Sequence, residues 1–303
     1  MSTAKMEVRS SIKLTPADRR FYLMVTVLLV LLVAVVVYPI VLVIASSFSS
    51  PAAVYAGRVF LWPVEPSLEG YGAVFKNKQI LSGFTNTMFY TLGGTIINLF
   101  MTTLAAYPLS RRTLPYRKSI MMLFIFTMFF SGGMIPNYIL LMNLRMLNTR
   151  WALLIPGAIS VYNMILMRTF FENIPVELYE AASIDGCTDI RYLLTVMLPL
   201  SKPIIAVLAL YYAVNHWNAY FNAMMYLTDQ KLVPLQLVLR DILISNTINL
   251  NEIMDEETMR ARQGLSELMK YAIIVVSSVP VMIIYPFIQK YFVKGVMIGS
   301  IKG

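Results

Sequence analysis

The chain has 303 residues, 58% of them hydrophobic and 14% charged, with a mean hydropathy of +0.66. Soluble domains carry about 45–50% apolar and about 25% charged residues, so this composition excludes a soluble enzyme and a disordered chain and fits a protein bathed mostly in lipid. One cysteine, Cys187, and one histidine, His216, exclude an internal disulfide, a zinc site and a Cys/His nucleophile pair. No metal is expected.

In chain order, six charge-free runs of at least 17 residues appear: 21–57, 79–110, 119–144, 151–167, 203–228 and 271–289. A membrane helix needs about 20 mainly apolar residues, so the expected fold is all-α and polytopic, with six transmembrane helices in residues 21–293. Residues 1–20 and 294–303 are then terminal tails. The fourth run is the shortest and carries Pro156 and Gly157, with Arg168 able to snorkel and lengthen it. The first run is too long for a signal peptide and is expected to stay as a helix. With the N-terminus inside, the inner segments hold 15 Lys and Arg, and the outer ones hold 10. Lys5, Arg9, Lys13, Arg19, Arg20, Arg111, Arg112, Arg117 and Lys118 cluster beside the first three spans. Both termini are therefore expected on the cytoplasmic side, and the net charge of +9 reads as topology rather than nucleic-acid binding.

Between the spans, the outer loop at about 46–83 is rich in proline. In the outer loop at about 229–270, Leu235, Val238, Leu239, Ile242 and Leu243 follow Pro234 at amphipathic helical spacing, which predicts a helix at about 233–244. The inner loop at about 170–202 is too polar for lipid. Pro175 suits the start of a helix of about three turns, Gly186 its left-handed end, and Thr188 the cap of a second short helix closed by Leu198 and Pro199. Pro203 then opens the fifth span. Small Ala181 and Ala182 beside Glu180 form a face that another protein can approach closely.

These residues resemble a known family. Glu180-Ala181-Ala182, Asp185-Gly186 and Val196-x-Leu198-Pro199 are similar to the E-A-A loop of permease subunits in bacterial binding-protein-dependent ATP-binding cassette importers. Val196, Cys187 and Tyr192 stand where Ile, Ala and Phe are common. The six-span frame and the Lys302-Gly303 tail are similar to the carbohydrate branch typified by the second maltose permease subunit. The stretch from Phe130 through Gly132, Gly133, Pro136 and Asn137 to Tyr138 resembles a subgroup associated with pectin- or alginate-type fragments.

The resemblance implies a coupling loop that docks on a separate ATPase, with Glu180, Ala181, Ala182, Asp185, Gly186, Leu198 and Pro199 at the interface. It also implies a second homologous permease, two ATPase subunits that bind ATP-Mg, an extracytoplasmic solute-binding protein, an oligosaccharide substrate and a place in the bacterial cytoplasmic membrane. The chain itself carries no phosphate-loop motif, so no cofactor and no enzymatic activity are expected of it. It also lacks the cluster of intramembrane carboxylates expected of a self-contained proton-coupled carrier.

Uncharged polar residues within the spans are the pathway candidates. Asn215, Asn218 and Asn222 fall at i, i+3 and i+7, with Trp217 and Phe221 on an adjoining face. Amides pair with hydroxyls and rings stack on sugar faces, so this set suits a carbohydrate, although such Asn residues also serve helix packing. Asn137 lies beside Gly132 and Gly133, which interrupt the third span. Gly93 and Gly94 read as close helix packing, and His216 as a packing residue. A membrane receptor or scaffold with an inner docking loop is the competing reading.

Overall fold

The computed structural model describes residues 15–244 and 256–299, with side chains of 256–261 and 287–299 left aside. The N-terminal bases Lys5, Arg9 and Lys13, residues 245–255 of the outer loop, and the Lys302-Gly303 end lie outside the described residues. The chain divides into two compact units, Met1–Gly70 with Glu257–Ala272, and Tyr71–Glu256 with Ile273–Gly303.

The first unit is led by α1, Pro16–Ser47. Thr15 and Asp18 exchange hydrogen bonds as a capping box, and Pro16 occupies the first helical position. The 32-residue helix is apolar on all sides, and Phe21 to Ile40 lies almost wholly exposed. That much exposed apolar surface requires lipid around it. After it, Ser50 caps the short α2, Pro51–Tyr55, and donates to Glu65, which also pairs with Arg58 at 3.2 Å. The Ser50 hydroxyl, and then the Arg58 charge, hold the Glu65 carboxyl below the usual carboxylate range.

In the second unit, α3, Glu69–Lys76, leads to α4, Lys78–Ser110, the helix on which most others pack. Asn77 caps it by accepting from Gln79 and Ile80. One side of α4 carries Asn86, Tyr90, Gly94, Asn98, Thr102 and Ala106 at successive i+4 steps, all buried. The third run forms α5, Arg117–Phe129, and α6, Met134–Asn143, with Gly133 at φ +85° between them and a bend of 111°. Glycine adopts this conformation without a Cβ penalty.

The fourth and fifth expected spans are also broken. The fourth run splits at Pro156 and Gly157 into α7, Trp151–Leu154, and α8, Val161–Glu172. The backbone freed by the break is satisfied by side chains: Asn98 Nδ2 donates to the Gly157 carbonyl at 2.7 Å, and Ser160 N donates to the Tyr212 hydroxyl at 3.4 Å. Broken helices persist at membrane depth when protein supplies such partners.

The fifth run forms α12, Lys202–Asn218, and α13, Phe221–Tyr226, with extended backbone at Ala219. Asn218 turns its amide back onto the Val214 carbonyl at 3.0 Å, a local bond that competes with helix continuation in a segment rich in weak helix formers. The expectation of Asn215, Asn218 and Asn222 on one continuous helical face is therefore corrected.

The inner loop folds as a helix, a glycine corner and a helix. Helix α9, Glu177–Ile184, ends before Gly186 at φ +72°. Thr188 caps α10, Asp189–Tyr192, which continues through a π-helical stretch, Leu193–Met197, into α11, Leu198–Leu200. This second helix outlasts Leu198 and Pro199 and turns by 82° at buried Ser201 into α12.

Helix α14, Leu235–Ile244, buries Leu235, Leu237 and Val238, and the first and third of these meet α4 at Gly83; Leu243 of the expected apolar face is exposed. The last helix, α15, spans Glu256–Gly299. Among the described residues, three helices are long and apolar enough to cross a membrane, Pro16–Ser47, Lys78–Ser110 and Arg262–Pro286, and five if each sharply bent pair counts as one span. The broken fourth run is what separates this number from six.

Candidate functional site

Two polar regions lie along α4. At its C-terminal end, the Arg111 guanidinium sits 3.7 Å from the ring centre of Tyr179 on α9, 5.0 Å from Tyr192 on α10 and 5.3 Å from Tyr107 on α4 itself. Tyr179 and Tyr192 meet edge to face at 5.2 Å, and the Tyr107 hydroxyl donates to Asp189. Burial pushes the Tyr192 phenol up against the opposing influence of the Arg111 charge. Each cation–ring contact is worth about 0.5–2 kcal/mol, so the cage ties the end of α4 to both short helices of the loop. Nearby, Arg168 donates to the Leu109 carbonyl at 3.0 Å and shares Glu172 with Arg117.

The loop presents its other side outward. Helix α9 has no buried residue; Glu180, Ala181, Ile184 and Asp185 are exposed, Ile184 at 86%. Ala182, by contrast, packs with Tyr179 and Cys187 against the chain's own core. Leu198 is also packed there, Pro199 is exposed, and Gly186 forms the corner. Of the two small residues, only Ala181 lies on the open face. Ile184 belongs to that face at i+4 from Glu180, a position legible from helical spacing.

Midway along α4, His216 Nε2 meets Asn98 Oδ1 at 2.6 Å, Asn98 bonds Gly157, and Thr102 Oγ1 meets Tyr212 OH at 2.7 Å. A Cβ on Gly94 would overlap the His216 ring. Beside this network opens a small cleft of about 90 Å³, lined by Tyr90, Gly157, Asn215, His216, Asn222 and Pro234 among others. The break at Ala219 thus brings Asn215 and Asn222 together where a continuous helix would have left them two turns apart. Neither amide has a hydrogen-bond partner among the described residues, although both are exposed to the cleft or beyond.

The other pathway candidates lie elsewhere. Trp217 is 4% exposed, donates Nε1 to the Ser277 carbonyl at 3.0 Å and packs edge to face on Phe84, so it is a structural contact of α12 with α15 and α4. Asn218 is occupied by its own helix, and Phe221 and Asn137 are exposed away from the cleft lining. Missed by the sequence reading were Tyr90, Asn98 and Thr102, although their i+4 stripe in an apolar run was a readable signal. A larger groove of about 470 Å³ between α3, α4 and α15 is lined mostly by aliphatic side chains and offers no site for a polar solute. Among the described residues no cluster of His, Cys, Asp or Glu can hold a metal.

Residues 99–298 match the family of binding-protein-dependent transport system inner membrane components. The polygalacturonan/rhamnogalacturonan transport system permease protein YtcP of Bacillus subtilis (strain 168) is 39% identical over 286 residues, 94% of this chain and 99% of that protein. The melibiose/raffinose/stachyose import permease protein MelC of the same organism is 27% identical over 253 residues, 80% and 84% of the two chains. A chain of the crystal structure of a bacterial ABC transporter involved in the import of the acidic polysaccharide alginate superposes with a TM-score of 0.85 at 37% identity, covering 92% of this chain and 98% of that one. The chain therefore belongs to the binding-protein-dependent transport system inner membrane component family and is one of its membrane permeases.

Proposed function

We propose that the chain is one of two permease subunits that together form the translocation pathway of an ATP-driven oligosaccharide importer, working by alternating access on pectin- or alginate-type fragments. The observation that carries this reading is similarity over more than nine-tenths of the chain to a polygalacturonan permease and to the alginate importer. The loop geometry supports it. Glu180, Ala181, Ile184 and Asp185 form an open face for a separate ATPase subunit, which binds ATP-Mg and hydrolyses it, and the Arg111 cage relays movement of that face to α4. The Lys and Arg distribution supports cytoplasmic termini and a loop on that same side of the bacterial cytoplasmic membrane. The solute-binding protein then delivers substrate at the opposite end, near α14.

Membrane extraction is expected to copurify a second homologous permease and an ATPase with a phosphate-loop motif. Vesicles holding the complex should take up acidic oligosaccharides only with ATP inside and the loaded binding protein outside. Uptake by the lone chain without ATP would overturn the coupling role, and an assembled complex that moves no sugar would favour a receptor or scaffold.

A further inference from the structure

We propose that Arg150 and the adjoining cleft form a uronate subsite in the outer half of the pathway, in which Arg150 holds the sugar carboxylate while Asn215 and Asn222 pair with hydroxyls. The assignment rests on the importer reading above and specifies its substrate class as an acidic sugar.

Arg150 immediately precedes α7, whose Ala152 and Leu153 line the cleft. Its guanidinium is preset from two directions: the carbon centre lies 4.5 Å from the Phe89 ring centre, and Nη2 donates to Asn86 Oδ1 at 3.5 Å. Asn86 is fixed in turn, because its Nδ2 donates to the Lys231 and Val233 carbonyls at 2.7 and 3.1 Å. Asn86 therefore has only its oxygen to offer Arg150. One turn along the same side of α4, Tyr90 bonds the Leu232 carbonyl at 2.8 Å and lines the cleft. Asn86, which the guanidinium contacts, thus lies about one helical turn along α4 from Tyr90 of the cleft wall.

Arg150 is exposed and has no carboxylate within salt-bridge distance among the described residues. Stacking and one long hydrogen bond leave most of its five donors available, and a planar guanidinium pairs bidentately with a carboxylate. A positive charge at this end runs against the bias that sets topology, so it is accounted for by an anionic partner better than by orientation in the membrane. The cleft supplies the complementary chemistry: two unengaged amides that donate and accept, next to the rigid His216 and Tyr90 walls. At about 90 Å³ it receives an edge of one pyranose ring rather than a whole oligosaccharide. A uronate ring presents both features to such a wall, a carboxylate at one end and hydroxyls along its edge.

The test is uptake by the full importer complex in vesicles, comparing an oligogalacturonide with its methyl-esterified, uncharged counterpart of equal length. Replacing Arg150→Gln should lower the ratio of acidic to neutral uptake about 10-fold, the scale of a lost charge-assisted hydrogen bond, and Arg150→Lys should restore part of it. Asn222→Asp adds a negative charge to the cleft at nearly constant size and should lower the same ratio. If Arg150→Gln weakens subunit assembly, Arg150→Lys and Asn222→Asp still decide the matter through the ratio. Wild-type uptake of both sugars with a ratio unchanged in all assembled variants would overturn the subsite alone. Failure of the wild-type complex to import either sugar would overturn the importer reading and the subsite with it.

Discussion

The two polar regions on α4 differ in what they leave unpaired. At the Arg111 end, the cation is stacked among three phenol rings with its Nη2 buried and without a hydrogen-bond partner among the described residues, and the open face of α9 is dominated by Ile184, Ala181 and two acidic side chains. In the cleft, the inner layer of Asn98, His216 and Tyr212 is satisfied, while Asn215 and Asn222 in the layer above have no hydrogen-bond partner among the described residues. A helix surface offering apolar side chains around a few charges suits a protein partner, whereas unpaired amides over a rigid floor suit a hydroxylated solute. Under the proposed function, the first is the region that would transmit force and the second the region that would touch cargo, with α4 common to both.

The largest expected effect comes from breaking the floor of the cleft. Gly94→Ala drives a methyl group into the His216 ring, whereas a Cβ on neighbouring Gly93 meets nothing. Overpacking of this kind costs about 1–3 kcal/mol, so Gly94→Ala should lower the melting temperature of the detergent-solubilised complex, and Gly93→Ala should leave it unchanged or raise it slightly. Equal melting temperatures would mean that His216 moves aside freely and that the floor is not rigid. Next in size is Asn98→Leu, which strips partners from both His216 and the Gly157 carbonyl. A cost of about 1–3 kcal/mol is expected in the same melting measurement, together with loosening of the fourth-span break detected by hydrogen exchange at Ala158 and Ile159.

At the other region, Gly186→Val forces a β-branched residue into φ +72°, at a cost of about 1–3 kcal/mol confined to the corner. Transport and solute-stimulated ATP hydrolysis should be lost while the melting temperature of the permease changes little. Full stimulated hydrolysis in this variant would remove the corner from the coupling path. Arg111→Met keeps the length of the side chain and removes the cation from the three rings. The expected result is several-fold less uptake per ATP hydrolysed, with the ATPase still attached, since the cage contributes stiffness and the docking face is intact.

How much of this was legible beforehand depends on whether the signal was local. Gly186, Thr188 and the helices around them follow from caps and helix-end glycine, and the structure has them where those rules put them. The Arg111 cage was not legible, because Tyr107, Tyr179 and Tyr192 come from three elements and only the fold brings their rings together. Trp217 was misread for a related reason. An aromatic ring in a span suits a sugar or a neighbouring helix equally well, and only the Ser277 carbonyl at 3.0 Å decides for the helix. The Asn series was half legible: helical spacing grouped all three residues, but the Asn218 bond to Val214 ends the helix and rearranges which of them share a surface. The polar stripe from Asn86 to Thr102 was present at i+4 spacing, yet single Asn and Thr residues scattered through an apolar run attract less notice than a cluster.

The smallest and most selective expected effect separates Asn222 from Asn98. Both are asparagines within spans, and a general penalty for polar groups in lipid would treat them alike. Their partners say otherwise. Asn222→Leu removes no hydrogen bond made among the described residues, so the melting temperature should hold or rise, in contrast to Asn98→Leu. Transport should nevertheless slow by roughly 2- to 10-fold, because a solute hydroxyl loses its partner in a partly dry site. Thiol labelling sharpens the same contrast in a background with Cys187 replaced. Cysteine at 215 or 222 should react with a water-soluble reagent in at least one nucleotide state and be protected by substrate, whereas cysteine at 217 should stay unreactive behind α15. Reaction at 217 without reaction at 215 or 222 would exchange the roles, making Trp217 part of the solute route and the two amides part of the contact with the second permease. A stability loss in Asn222→Leu matching that of Asn98→Leu would point the same way, since it would require a partner for Asn222 that only the assembled complex supplies.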